Sequence, residues 1–355
     1  MSTEPATRDQ SLRLWMGAAR GITKCAPISF VTLCIDACLP NSEALIIRII
    51  TARIRNVQIC PCKLTRNAMT QDFNYDPVTV TDEATATGIT ADIFMDIRQT
   101  MNIPVVTSIW RALASWDNCL EQTWNAVKPI YLSRLPDTVL PELLRQTALS
   151  VPKFSLVNHS SSPKLNINDF GNIKSIVAAY NRSNGLNLIA LAAFLTPTTE
   201  GDLIAVTQSS EPSSTSPSAL KALLSRIQID DQTWDLVRQV NTLGTNSSAE
   251  NIVYQGHVAT LWRHLAHWPS FLSAVDRGFS PQQKAGIIHS MSLRTTALAI
   301  EMGIQIARYF KPTEISLPAK VLQVMHNYVN SPKQVARMVV IGHGISNWLE
   351  QSNHQ

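Results

Sequence analysis

The chain predicts an all-α fold, a tandem pseudo-twofold repeat of helical units, on three observations. The strip Leu261-Trp262-Arg263-His264-Leu265-Ala266-His267-Trp268 echoes Ile109-Trp110-Arg111-Ala112-Leu113-Ala114-Ser115-Trp116, with the two Trp, the Arg, the Leu and the Ala in register. The two copies lie too far apart for a solenoid and far enough for each to carry several helices. Apolar residues after Pro77 recur with a period near 3.6, and almost nothing after residue 82 has strand alternation. A Ser/Thr/Pro/Glu-rich stretch from Thr196 to Ser218 reads as a linker between two halves. The expected divisions are therefore residues 1–80 as an extension, 81–195 as the first helical repeat, 196–218 as the linker, and 219–355 as the second repeat with a helical tail.

Composition agrees with a globular protein: 45% of the residues are hydrophobic and 16% charged, enough apolar material for a core. The formal charge of +4 and the lack of a Lys/Arg run interleaved with aromatics argue against a nucleic-acid surface. No stretch reaches transmembrane length, because Asp36 and Pro40 interrupt the apolar run that begins at Ala26. Five of the six cysteines fall before residue 63, and neither Cys34/Cys38 nor Cys60-Pro61-Cys62 has zinc-site spacing, so free thiols are expected and no metal.

In chain order, residues 1–80 suit neither period cleanly. The first 66 residues carry nine Lys/Arg against four Asp/Glu, a balance compatible with either organelle targeting or a plain extension. Ile93, Phe94, Ile97 and Met101 share one helical face, closed by Asn102-Ile103-Pro104. A helix expected from Pro104 carries Val105, Val106, Ile109, Trp110 and Leu113. Further helices are expected through Leu120–Pro129 and around Leu140–Ala148. Asn168 and Asp169 are candidate caps for a helix through Ile173, Ile176, Val177 and Tyr180. Asn181-Arg182-Ser183-Asn184-Gly185 should then break or kink that helix before the apolar run Leu188–Phe194. The second half should place helices at 219–226 and 231–242, another containing Leu261, one long helical region from Ser280 to Tyr309, and one or two more through Met325, Val329, Met338, Val339 and Ile341.

Together, Ala91-Asp92-Ile93-Phe94-Met95-Asp96-Ile97-Arg98, Trp110-Arg111-Ala112-Leu113-Ala114, Ala179-Tyr180-Asn181-Arg182-Ser183-Asn184 and Leu265-Ala266-His267-Trp268-Pro269 resemble the group I 2-haloacid dehalogenases of the DehI type. The resemblance covers roughly residues 80–345. The helical repeat alone is similar, more loosely, to the carboxymuconolactone decarboxylase and alkylhydroperoxidase D superfamily, although the CxxC of those peroxidases is missing here. The closer resemblance implies that the helical units form an intrachain pseudo-dimer, and it implies hydrolysis of a small 2-halocarboxylic acid by direct attack of water on Cα, without metal or cofactor, between the two halves. Such chemistry needs a carboxylate base, an amide to hold the water, donors for the substrate carboxylate and an apolar place for the halide.

Carried over by that resemblance, the water-holding Asn falls on Asn184. The position of the catalytic Asp, seven residues before Trp268, is occupied by Leu261, and the Ser before it by Thr260. A pocket Tyr most nearly matches Ser292. Val105 joins Ser292, Arg111 and Arg263 as expected substrate contacts, although the two arginines, equivalent in the repeat, either bind an anionic substrate or make one structural contact twice. His264 and His267, with His257 nearby, offer either ordinary packing or a replacement base. His289 and Glu301 present the same choice. The expected partners are a small carboxylate and a second copy of the chain, with no nucleic acid and no membrane; the expected location is cytoplasmic, with organelle targeting by the extension left open.

Overall fold

In the computed structural model the described residues are 81–153, 165–198, 219–245, 258–311 and 315–352, all within one compact unit, Thr65–Gln355. The expectations for residues 1–80, for His257 and for most of the linker lie outside them. Among the described residues there are helices and turns and no strand, and no helix is long and apolar enough to cross a membrane.

The first half of the chain contributes α1 (Gly88–Met101), α2 (Ser108–Leu113), α3 (Cys119–Leu132), α4 (Leu135–Gln146) and α5 (Ile167–Phe194). The second contributes α6 (Asp231–Val240), α7 (Thr260–Leu265), α8 (Pro269–Lys284), α9 (Ile287–Ala307), α10 (Ala319–Asn330) and α11 (Arg337–Ser352). Each copy of the echoed strip is thus a six-residue helix, α2 or α7. Pro104 does not start α2, because Pro104–Thr107 forms the connection and Thr107 is the N-cap. A helix at 219–226 is likewise absent, and only the 3-10 turn Arg226–Gln228 forms there.

Local chemistry explains several boundaries. Asn102 takes the left-handed conformation at φ 52°, and its N–H closes the last turn of α1 onto Arg98 and Gln99. Asp96 of α1 accepts from Trp124 Nε1 at 2.7 Å and from Lys128 Nζ at 2.7 Å, tying α1 to α3. Asn166, rather than Asn168 or Asp169, caps α5, its side chain accepting from Asp169 N at 2.8 Å. The long region expected over Ser280–Tyr309 is two helices, because Gly286 sits at φ 71° between α8 and α9.

The break expected at Asn181–Gly185 does not occur. α5 runs unbroken for 28 residues and is buried almost throughout its second half. Burial there overrides the turn propensity of Asn-Gly, and the missing side chain of Gly185 is what admits Leu140, whose Cδ1 would lie 2.4 Å from a Cβ at that position. α5 also passes through both apolar cores. Ile173, Ile176, Val177 and Tyr180 belong to the core built with α6, α7, α8 and α11, whereas Leu186, Leu188, Ile189 and Leu191 belong to the core built with α1 to α4 and α10. Asn184 therefore lies where the two cores meet. Gly303 brings α9 against the same helix, since a Cβ there would meet Ala192 Cβ at 2.7 Å and its main chain at 2.8 Å.

Candidate functional site

The junction of the two cores holds a cavity of about 30 Å³, room for about two waters. Tyr180 and Asn184, one turn apart on α5, line it together with Thr260 and Leu261 at the start of α7. The turn Pro332–Ala336 between α10 and α11 brings in Gln334, and α11 brings in Arg337. Three residues assigned from sequence, Asn184, Thr260 and Leu261, thus converge on one small space. A larger hollow of about 400 Å³ between α3, α9, α10 and the end of α5 has a mostly apolar wall and contains none of them.

The other expected contacts are not part of the cavity lining. Ser292 is fully buried on α9 and spends its hydroxyl on Ile288 O at 2.8 Å, within its own helix. Val105 packs in the core built around α6 to α8. Arg111 Nε donates to Thr81 O at 2.9 Å, and Arg263 Nε donates to Leu224 O at 3.0 Å. The two equivalent arginines therefore make the same structural contact twice, each holding a main-chain carbonyl ahead of the first helix of its half. Of the candidate bases, Glu301 is on an exposed face of α9, and His267 Nε2 lies 2.8 Å from Ala222 O, outside the lining. His289 also lies outside it.

A satisfied polar network stands behind the cavity. Asn187, fully buried one turn after Ser183, accepts from Trp110 Nε1 at 3.1 Å and from Tyr131 Oη at 2.8 Å, and its Nδ2 donates to Thr107 Oγ1 at 2.7 Å. Thr107 lines the cavity, so this network holds that wall and the face of α5 in place. Sequence reasoning misses Asn187; its spacing from Asn184 on a buried helix is the signal that could have found it.

His264, one turn after Leu261, is buried, and its Nε2 contacts Lys221 O. A carbonyl only accepts, so Nε2 carries the hydrogen and Nδ1 is left to accept from Tyr180 Oη at 3.3 Å. Burial lowers the His264 pKa, against the opposing bond to Lys221, with His267 and Arg263 lowering it further. Burial also raises the Tyr180 phenol well above its ordinary value; Arg111 and Arg263 pull the other way and Glu83 adds to the rise. Both groups are therefore neutral near pH 7.

That depressed imidazole has a consequence for stability. The unfolded chain takes up a proton near the ordinary value of 6.5, whereas the folded one resists it, so stability is lost as pH falls below about 6.5. His343, also lowered by burial, adds to the same slope. His264→Gln is expected to shallow the loss of unfolding free energy between about pH 7.5 and 5.5, measured by urea denaturation; an unchanged slope would mean that His264 titrates normally.

No carboxylate and no imidazole lines the cavity among the described residues. The charged group in that lining is Arg337, which donates through Nε to Lys333 O at 2.7 Å and through Nη1 to Asn241 O at 2.9 Å and Leu243 O at 3.0 Å. Leu261 is 1% exposed, and leucine has no lone pair for a proton. The arrangement can hold a small polar molecule such as water, but its described lining offers no carboxylate or imidazole in direct contact to deprotonate it. Among the described residues no group of three His, Cys, Asp or Glu is placed to hold a metal ion.

No family model matches the chain. Over 55 residues it is 40% identical to an (R)-2-haloacid dehalogenase of Pseudomonas putida, a match that covers 15% of this chain and 18% of that protein. The chain thus spans less than a fifth of the length of that curated relative. Among solved structures it is similar to a D-2-haloacid dehalogenase in complex with L-LA, with a TM-score of 0.58 and 13% identity over 76% of this chain and 95% of that one. It is also similar to a D-2-haloacid dehalogenase mutant, with a TM-score of 0.56 and the same identity and coverage. The chain, helical throughout its described residues, has the fold of these D-2-haloacid dehalogenase structures and shares a short stretch of sequence with an (R)-2-haloacid dehalogenase.

Proposed function

We propose that the chain is a diverged relative of the DehI-type 2-haloacid dehalogenases, a tandem pseudo-twofold repeat whose central cavity, about 30 Å³ as it stands, widens to bind a small carboxylic acid and lacks the base to hydrolyse it. The observation that carries this reading is Leu261, which lines the cavity beside Thr260 and Asn184 in a wall whose described residues include no carboxylate or imidazole. The matched anchoring of Arg111 and Arg263 supports the repeat. An acid rather than a base suits the space, because the charged group among its described lining residues is a cation.

Purified protein is expected to release no halide above background from racemic 2-chloropropionate. The same compound is expected to raise the unfolding temperature in a concentration-dependent way, as any ligand of the native state does, and Asn184→Leu is expected to reduce that rise. Halide release by the wild type at a rate comparable with that of a functioning dehalogenase would overturn the non-hydrolytic half; absence of any stabilisation would overturn the binding half.

A second reading rests on Tyr180, which lines the cavity with its hydroxyl on His264 Nδ1. In it, attacking water gives its proton to Tyr180 Oη as the phenol proton passes to His264, the water oxygen bonds to Cα, and halide leaves. Halide release that disappears in His264→Gln would favour this reading over the first.

A further inference from the structure

We infer that the hollow beside Trp116 binds an organic ammonium ion of the kind a lysine side chain carries, seated on the indole ring and held by Asp117 and Glu121. The site is separate from the central cavity and does not depend on how that cavity is read. The hollow measures about 190 Å³ and lies between α1 and the start of α3. Ile89, Ile93 and Leu120 give it apolar walls, Trp116 gives it an aromatic one, and Asp117 and Glu121 are the charged residues of its described lining. Neither carboxylate forms an ion pair with a described residue, and no described cation lies over the Trp116 ring.

The second half of the chain shows the same chemistry satisfied from within. Trp268 is the counterpart of Trp116 in the echoed strip, and Lys221 Nζ lies 5.0 Å from its ring centroid, within reach for attraction between an ammonium and the face of an indole. The counterpart of Lys221 follows from the way the strips are anchored, since Arg263 holds Leu224 O and Arg111 holds Thr81 O. Lys221 stands three residues before Leu224, and three residues before Thr81 stands Val78, which carries no charge. The first half thus has no lysine at the position that serves Trp268. The acids occur only on this side, because Asp117 and Glu121 correspond in the register of the strip to Pro269 and Ser273. Two carboxylates outweigh the roughly half positive charge at the start of α3, so the hollow favours a cation. Carboxylates suit a helix start without any ligand; the hollow, and a ring without the cation that its counterpart holds, are what a ligand explains.

The test uses the full chain and n-butylammonium chloride, with n-butanol as the uncharged comparison, followed by ligand-observed NMR titration. The ammonium is expected to bind and the alcohol is not. Affinity is expected to fall as sodium chloride is raised, because salt screens exposed charges. Trp116→Leu is expected to weaken binding about two- to fivefold, the worth of an exposed contact between a cation and an aromatic face. Asp117→Asn and Glu121→Gln keep shape and remove charge; each is expected to weaken binding up to about fivefold, and the double variant to bring it to the level of n-butanol. Asp117 is exposed and Glu121 half-buried, so these variants carry the test even where Trp116→Leu fails to fold. Nα-acetyl-lysine methylamide binding as well as the free amine assigns a lysine side chain as the occupant, and binding of the free amine alone assigns a small alkylamine. Equal binding of n-butanol and n-butylammonium, a double variant that binds the ammonium like the wild type, or a wild type that binds no ammonium overturns the inference.

Discussion

Leu261→Asp is expected to raise halide release from 2-chloropropionate from background to at least about a hundredfold above it, since a placed general base contributes roughly 10² to 10⁴ in rate. Leucine and aspartate both branch at Cγ and carry the same number of side-chain heavy atoms, so the carboxylate enters the volume that the isobutyl group now fills. Leu261 is 1% exposed and lines the cavity with Asn184 and Thr260, which brings the new base to the space where a held water would sit. Burial should raise the pKa of the new carboxyl, so the gained activity should climb with pH. The sign for stability is the reverse. The folded state holds that proton more tightly than the unfolded chain does, so the variant should lose stability relative to wild type as pH rises above about 4. Leu261→Asn, with the same shape and no proton affinity, should release no halide. If Leu261→Asp still binds 2-chloropropionate and stays silent, the correspondence between position 261 and a catalytic base is wrong.

Arg337→Met is expected to destabilise the fold by more than about 3 kcal/mol, because hydrogen bonds from a charged group contribute about 1.5–3 kcal/mol each and this side chain makes several. Arg337 is 1% exposed and its nitrogens reach Lys333 O, Asn241 O, Leu243 O and Asn241 Oδ1. The loop after α6 wraps it closely. A Cβ on Gly244, at φ 80°, would lie 2.9 Å from Arg337 Cβ, so only glycine passes there without a shift. The contact also reaches the site, since Asn241 Oδ1 accepts from Ala259 N at 3.1 Å, immediately before Thr260 and Leu261. Arg337→Met should therefore weaken carboxylate binding as well as lower the urea midpoint. Arg337→Lys should recover only part of both, because one ammonium does not span acceptors that a planar fork reaches together. A urea midpoint within error of wild type for Arg337→Met would show that the surrounding carbonyls find water instead.

Much of the helical content is legible in the chain because the determinants are local. Positions three and four apart meet on one helix face, so Ile93, Phe94, Ile97 and Met101 predict α1, and Asn102 predicts its end. The echoed strip predicts a helix in each copy, and α2 and α7 form there, although the first is shorter than the helix expected from Pro104. Neighbouring residues also mislead where tertiary burial outweighs them. Asn184-Gly185 carries the signal of a turn, yet the chain stays helical there because the whole face is packed and Gly185 makes room for Leu140.

The candidate site is legible only in part. Asn184, Thr260 and Leu261 can be carried over from short motifs and do converge. Ser292, Val105, Arg111 and Arg263 cannot be placed that way, because each spends its side chain on packing or on a carbonyl that no motif marks. Gln334 and Asn187 belong to no motif at all. The pattern of the chain by itself decides that this is a helical protein with a strip that occurs twice, at 109–116 and 261–268. Which side chains share a cavity is decided only when segments near residues 107, 184, 260 and 334 are brought together, because burial, unpaired donors and the course of a guanidinium are properties of contacts made across the sequence.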